Sequence, residues 1–481
     1  MADVISPRTR ALSVAYSITV RILAPAGGQA VSQLTRTVEA AGGAVTALDV
    51  SDSGQAQVQI DVTIGASSTE HSAEVVEALG QIEGVTVSRV SDRTFLMHLG
   101  GKLETAPRHQ IRTRDDLSMI YTPGVARVCL AIAENPEDAR RLTIKRNSVA
   151  VITDGTAVLG LGDIGPKAAM PVMEGKAVLF KRFADIDAWP LCLDTTDPDE
   201  IVSVVKAVAP GFAGINLEDI SAPRCFEIEA RLREALDIPV FHDDQHGTAI
   251  VVLAALYNAL RVVQKELGDV RIVMSGAGAA GTAILKVLLA AGARHVVVAD
   301  INGVVHRDRD GLNENLRWIA EHTNAEGFTG TLKQALAGAD VFVGVSAPGV
   351  IDADDVATMA DRSVVFALAN PTPEIDPAEA SVHAEVVATG RSDFPNQINN
   401  VLAFPGVFRG LLDARSHNIS MSLLIAAARA LAGVVADDQL NASYIMPSVF
   451  HPDVHDHVAA AVREAAGGAA ELPEVSGDAV L

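Results

Sequence analysis

The sequence predicts an α/β fold built in two styles: a small N-terminal split βαβ domain, then parallel sheets covered on both faces by helices. Two observations carry this. Residues 17–22 (SITVRI) and 55–64 (QAQVQIDVTI) alternate apolar and polar with period two, the mark of strands with one wet face. From about residue 145 the strand-like segments become continuous apolar runs, the mark of strands buried on both faces.

In the first hundred residues, Ile18, Val20 and Ile22 share one face of the first strand. Val31, Leu34, Val38 and Ala41 then follow helical spacing, stopped by Gly42-Gly43. Ala56, Val58, Ile60, Val62 and Ile64 line the next alternating strand. A second helical stretch carries Val75, Val76, Leu79 and Ile82, and Val85, Val87 and Val90 return as a strand. The predicted order is β-α-β-β-α-β, one sheet with two helices. Further on, VAVIT (149–153), AGINL (213–217), IPVFH (238–242), VRIVMS (270–275), HVVVAD (295–300) and VVFALAN (364–370) are the continuous runs. The tail from Gly467 is small and acidic and is expected to fray.

The chain has 481 residues, enough for about three domains at roughly 150 residues each. Its formal charge of −22 argues against nucleic-acid and anionic-membrane partners, which need a basic footprint. Cys129, Cys192 and Cys225 stand far apart with no CxxC, which suits a reducing compartment without disulfides or a thiolate zinc site. The first fifteen residues lack the apolar core of a signal peptide. The most apolar stretch, Ser422 to Ala436, carries Arg429 at its middle and falls short of the ~20 residues of a span. The expectation is a cytoplasmic protein with no membrane segment.

Two segments match G-x-G-x-x-G. Gly276, Gly278 and Gly281, with Ala279 and Ala280 between them, lie between the run ending at Ser275 and a helical stretch, and Asp300 ends the next strand. That is the full context of a Rossmann-like dinucleotide site, with the pyrophosphate on the helix N-terminus and the acid on a ribose. The other copy, Gly160, Gly162 and Gly165, runs into Pro166 and Pro171, which fit a helix start poorly beyond its first turn. It is read as a glycine-rich wall for an anionic substrate, or else a plain turn.

Glu218-Asp219 and Asp243-Asp244 each follow a parallel strand, at the end where open α/β sheets bind ligands. Oxygen ligands without cysteine favour Mg2+ or Mn2+. Helix N-caps are the other reading of these acids, and His242 and His246 are not expected to ligate. Lys176 has apolar neighbours, so desolvation is expected to lower its pKa and make it a general base; a snorkelling surface lysine is the alternative. Tyr121 precedes a Pro-Gly turn at a domain junction, or is simply a core tyrosine.

The N-terminal order resembles an ACT domain, which implies an amino-acid or metabolite effector, or an oligomerisation module without a ligand. YTPGVA (121–126), TDGTAVLGLGDIG (153–165), PVMEGKA (171–177), NLED (216–219), FHDDQHGTA (241–249), GAGAAG (276–281), ALANPTPE (367–374) and FPGVFRG (404–410) occur in order. Together they resemble the short bacterial malic enzymes over roughly residues 100 to 460. The resemblance implies oxidative decarboxylation of L-malate to pyruvate and CO2 with NAD, or NADP, and Mg2+ or Mn2+, in a homodimer or higher homo-oligomer. Carried onto this sequence, it makes Tyr121 the acid, Lys176 the base and Asp243 its neighbour. Glu218, Asp219 and Asp244 become metal ligands, Asn370 and Asn400 bind the substrate carboxylate, and Asn370 also faces the cofactor. Larger members place an arginine where Thr156-Ala157 stand here, which leaves backbone N–H groups of Gly160–Gly165 to hold malate. Two alternatives share parts of this pattern: a malolactic-type enzyme giving lactate, and a non-catalytic ACT-linked sensor. The expected division is an ACT-like domain at 1–98, a malate and metal domain at 99–243, a Rossmann-like domain at 244–399, and C-terminal helices at 400–481 returning to the malate domain.

Overall fold

Period-two alternation in the N-terminal region produces one antiparallel sheet. A computed structural model of the chain describes residues 12–26, 29–53, 57–158 and 160–467. Strands β1 (Ser13–Pro25), β2 (Ala44–Ser53), β3 (Gln57–Ala66) and β4 (Thr86–Asp92) lie in the order β2-β3-β1-β4. Ile18, Val20 and Ile22 pair with Ile64, Val62 and Ile60, and all six are buried beneath helices Ala30–Ala40 and Thr69–Gly80. Leu34, Val38, Val75 and Leu79 complete this core, while Val31 is exposed. On the wet face Arg21 and Asp61 stand opposite each other and form an ion pair at 2.7 Å. The simple alternation did not single out β2, and the reason is visible: register shifts at Val45/Ala47 and Val50/Asp52 break its period. Val90 of β4 pairs with the buried Val20 yet is itself exposed, at the edge of the sheet.

Residues 1–104 form one compact unit and residues 105–481 another. The expected boundaries at 243/244 and 399/400 fall inside the second unit. The expected frayed tail, beyond Gly467, lies outside the described residues.

The second unit holds two parallel sheets. The first contains β5 (Ser148–Thr153), β6 (Asp187–Cys192), β7 (Gly214–Leu217) and β8 (Val240–His242), in the order β6-β5-β7-β8. The second contains β9 (Arg271–Ser275), β10 (His295–Asp300), β11 (Gly303–Val304), β12 (Val341–Gly344), β13 (Val364–Ala367) and β14 (Val386–Thr389). Its order is β11-β10-β9-β12-β13-β14, and only β11 runs antiparallel. Its order reverses beside β9, so a crevice opens at the carboxyl ends of β9 and β12.

One helix holds both sheets. Thr248–Val263 buries Val251, Leu253, Ala255, Leu256 and most of its other side chains, and it shares a core cluster with Val149 and Phe241 of the first sheet and Ile272 and Met274 of the second. Such all-round burial is why its sequence shows no polar stripe. The helices Phe404–Ala414, Met421–Ala432 and Val454–Ala465 close the same core. Phe404 and Phe408 pack edge-on against Phe180, with ring centroids 4.7 and 5.1 Å away.

Gly410 sets how closely two of these helices approach. A Cβ there would lie 2.6 Å from the Ala459 carbonyl oxygen and 2.7 Å from Val462 Cβ. Gly410→Ala is therefore expected to destabilise the protein by about 1–3 kcal/mol through overpacking, read as a lower midpoint in thermal unfolding; an unchanged midpoint would show that the helices separate freely.

Candidate active site

The carboxyl ends of β7 and β8 deliver four acids into one crevice. Leu217 is followed by Glu218-Asp219, and His242 by Asp243-Asp244. Asp219 adopts a left-handed backbone at φ 53°, a strained conformation that turns its side chain out of the strand direction. Asp243–Gly247 form a π-type turn before the core helix. Gly247 is required there, since a Cβ would fall 2.1 Å from Asp243 Oδ1.

Lys176 meets the acids from the helix Pro166–Ala184, where it shares the inward stripe of Met173, Ala177 and Phe180. Its ammonium lies 2.7 Å from Asp243 Oδ2, 2.9 Å from Glu218 Oε1 and 4.4 Å above the Phe404 ring. Burial alone opposes its charge, but Asp243 and Glu218 outweigh that and hold its pKa above the ordinary lysine value. This corrects the expectation of a lowered pKa: the apolar neighbours in sequence are not the neighbours in space.

Burial pushes the Glu218 carboxyl well above the usual range, with the surrounding carboxylates adding to it against Lys176. Burial and the adjacent Asp244 push Asp219 up to about 8. Oxygens of Glu218, Asp219 and Asp244 lie within 4.8 Å of one another, and Asp219 Oδ2 is buried without a hydrogen-bond partner. Four carboxyl groups crowd one ammonium, and a hard divalent cation that took the place of the protons on Glu218 and Asp219 would fit this cluster. The histidines stay outside this cluster: His246 Nε2 bonds Glu229 Oε1 at 2.5 Å, and His242 Nδ1 lies 3.8 Å from Asp244 Oδ2. Asn400 Nδ2 donates to Asp243 Oδ2 at 3.1 Å, which joins the start of the C-terminal helices to the lysine.

The same cavity, of about 630 Å3, continues to the N-terminus of the helix Ala279–Ala291 through Gly278 and Gly281, and Asn370 and Gly160 form its wall. A Cβ on Gly276 would lie 2.5 Å from the Val345 oxygen, and one on Gly281 2.0 Å from the Gly276 oxygen. Gly278 has open space instead, as a backbone that receives a pyrophosphate needs. Asp300 ends β10 as expected, and its Oδ2 is bound by Arg309 Nη2 at 2.6 Å.

Two family models match this chain: malic enzyme, N-terminal domain, over residues 100–233, and malic enzyme, NAD binding domain, over residues 245–467. The chain belongs to the malic enzyme family. It is 56% identical over 452 residues to an NAD-dependent malic enzyme of Geobacillus stearothermophilus, covering 94% of this chain and 95% of that one. It is 51% identical to a bifunctional malic/malolactic enzyme of Bacillus subtilis (strain 168), covering 76% of this chain and 90% of the relative. The crystal structure of an NAD-dependent malic enzyme from Thermotoga maritima superposes with a TM-score of 0.75 at 48% identity, covering 78% of this chain and 99% of that one.

Within this malic enzyme fold, Lys176, Asp243, Glu218, Asp219, Asp244, Gly160, Gly278, Ala279, Ala280, Gly281, Asn370 and Asn400 meet at one cavity. Tyr121 does not join them. It ends the helix Arg114–Ile120 and is 68% exposed, in a segment with no buried residue from Arg114 to Leu142. Gly162 is also off the cavity wall, closing a tight turn by accepting the Val158 N–H at 3.0 Å. Gly165 does begin a helix, against expectation: Pro166 occupies its first position, where no N–H is needed, and Pro171 is accommodated inside it. Of the two arginines that closely follow Asp300, Arg309 pairs with it and Arg307 donates instead to the Glu321 carbonyl at 3.1 Å. Sequence reasoning missed Ser346 and Ala369, which line the cavity at the ends of β12 and β13. The apolar run VFVG (341–344) was the signal for the first. It also missed Arg224, whose guanidinium is 3.0 Å from Asp154 and 3.0 Å from Thr156 Oγ1, bringing an arginine to the loop where the sequence lacks one.

The Asp219 pKa of about 8 fixes the sign of a pH effect on metal binding. Below that pH a proton occupies the site and must leave when a cation enters. Mn2+ affinity measured by calorimetry is expected to strengthen as pH rises from 6 to 8, with proton release; affinity unchanged over that range would show that no carboxyl proton is displaced. Glu218→Gln and Asp244→Asn should each weaken it at least about tenfold through lost ligand charge. Titrations that superimpose on wild type would make these acids helix caps.

Proposed function

We propose that this malic enzyme family member converts L-malate and NAD to pyruvate, CO2 and NADH at the cavity of Lys176, using Mg2+ or Mn2+. The observation that carries the reading is that Lys176, the three-carboxylate cluster and the Gly278–Gly281 helix start share one cavity. When bound, the cation held by Glu218, Asp219 and Asp244 supplies Lewis-acid polarisation of the substrate C2 oxygen, and NAD accepts the hydride. Lys176 is the group that takes the C2 hydroxyl proton. Loss of Glu218's negative charge to a cation removes one of the two partners that hold the amine protonated, which brings its pKa down toward the range of a base. Asp243 fixes the amine in place by accepting from it at 2.7 Å, and Asn400 holds Asp243 by donating to the same oxygen at 3.1 Å. Asn370 and Asn400, with backbone N–H groups of the Gly160 loop, hold the substrate carboxylate.

Tyr121 is assigned as the acid that protonates C3 after decarboxylation, and its exposure gives the reason for a homo-oligomer. Leu117, Met119, Ile120 and Tyr121 are all exposed in one apolar stretch. A second copy that covers this stretch would receive Tyr121 at its own cavity, so the functional unit is a homodimer or larger. The N-terminal βαββαβ unit is assigned as an ACT-like regulatory module, a role consistent with its β2-β3-β1-β4 sheet. NAD is assigned over NADP because Asp300, at the end of β10, is placed to accept the ribose hydroxyls and its pairing with Arg309 occupies the cation a 2′-phosphate would need. The Bacillus subtilis relative's name, bifunctional malic/malolactic enzyme, keeps lactate as a second product to be tested.

NADH formation with malate and Mn2+, followed by product identification, tests the reading; lactate in place of pyruvate would give the malolactic activity, and no turnover would overturn it. Lys176→Ala is expected to lower kcat by at least ~10²-fold with the fold intact, the range for a positioned base. Tyr121→Phe should impair turnover, and mixing it with Lys176→Ala subunits should restore part of the activity if the tyrosine acts across copies. Asp300→Ser should free Arg309 for a phosphate and raise the NADP to NAD ratio of kcat/KM. A wild-type preference for NADP would sink the carboxylate argument.

A further inference from the structure

The last residue of the ALANPTPE motif lies outside the chemistry described above. Glu374 is completely buried, and among the described residues no cation pairs with it. Its carboxylate is held by three donors instead. Oε1 accepts the Ser346 N–H at 2.7 Å and the Ser346 hydroxyl at 3.3 Å, and Oε2 accepts the Ala369 N–H at 2.9 Å. Ser346 follows β12 and Ala369 follows β13, and both line the cavity. We propose that Glu374 is a positioning residue for the cofactor, fastening the loops after β12 and β13 at the spacing that NAD requires. This rests on reading the Gly276–Gly281 cavity as the dinucleotide site.

Three further contacts support the assignment. Ser346 Oγ lies 2.7 Å from Ser275 Oγ, at the end of β9 just before the glycine motif, so the clamp reaches all three strand ends around the crevice. The space beneath β12 is kept clear for the carboxyl group: a Cβ on Gly344 would lie 2.4 Å from Glu374 Cδ. The clamped loop also abuts the opposite wall, where a Cβ on Gly160 would lie 2.4 Å from the Asn370 oxygen. An apolar side chain at 374 would leave two backbone N–H groups without acceptors and release both loops. Burial raises the carboxyl pKa above the ordinary glutamate value, while the backbone N–H groups of Ala369 and Ser346 oppose it. Retaining a carboxyl group at this cost is reasonable where loop geometry is the product.

Glu374→Gln keeps the size and shape but leaves one acceptor oxygen, so one of the two N–H groups then faces an amide donor. Calorimetric titration with NAD alone, without malate, is expected to show affinity weakened by about tenfold, the scale of one lost hydrogen bond to a charged group. KM for NAD should rise accordingly, while Mn2+ affinity and kcat at saturating NAD stay within about twofold. A variant with a lower unfolding midpoint and unchanged NAD affinity would overturn the proposal and leave Glu374 a purely structural residue. Wild-type protein that binds no NAD would instead sink the cofactor reading itself. Amide hydrogen exchange on wild-type protein without cofactor decides the matter if the variant does not fold. Peptides containing Ser346 and Ala369 should exchange slowly, and exchange at the rate of free loops would overturn the clamp.

Discussion

Like charges crowded at Lys176 are the constraint on which the rest of the site depends. Glu218, Asp219, Asp243 and Asp244 come from two strand ends, and only one ammonium stands among them. Such an assembly is costly in a buried place, and it persists because the surrounding structure leaves no escape. Lys176 is fixed by its helix and by Phe404 below it. Asp219 is held in a left-handed backbone, and Asp243 is packed against a glycine that has no room for a side chain. The crowded carboxyl groups suit a hard cation, and Asp243 and Glu218 among them keep the lysine protonated. The proposed metal site and the proposed base thus share one electrostatic arrangement.

A site of this kind needs walls from two sheets that do not move independently. The helix Thr248–Val263 supplies that rigidity, since it leaves the acidic turn at Asp243–Gly247 and runs through the core shared by both sheets. The C-terminal helices complete the same core, and Asn400, at their start, reaches back to Asp243. Residues 240 positions apart in sequence, Gly160 and Asn400, therefore line a single cavity.

Much of this was legible in the sequence because it depends on local patterns. Period-two alternation located β1 and β3, and continuous apolar runs located β5, β7, β8, β9, β10 and β13. The acids were legible as functional candidates because they directly follow such runs. Short strands with weaker signals escaped: β2 is interrupted by register shifts, and DAWPLC of β6 carries a proline and a charge. The helix after Gly165 was judged a poor start because Pro171 lies beyond its first turn, yet the helix accommodates that proline in its interior.

By itself the sequence determined the α/β class, the order of the motifs and the chemical identity of the groups that meet at the cavity. Those follow from side-chain periodicity and from residue types, which need no knowledge of distant contacts. The tertiary structure alone decided the environment of each group. Lys176 looked desolvated among Met173, Ala177 and Val178, yet it lies between two carboxylates that keep it charged. Asp300 looked free for a ribose, yet it is paired with Arg309. Tyr121 looked like a member of the site, yet in a single chain it faces outward. Glu374 looked like the end of a loop motif, yet it ties two strand ends together. Charge state, partner and exposure are set by groups far away along the chain, because electrostatic and packing energies depend on distance in space.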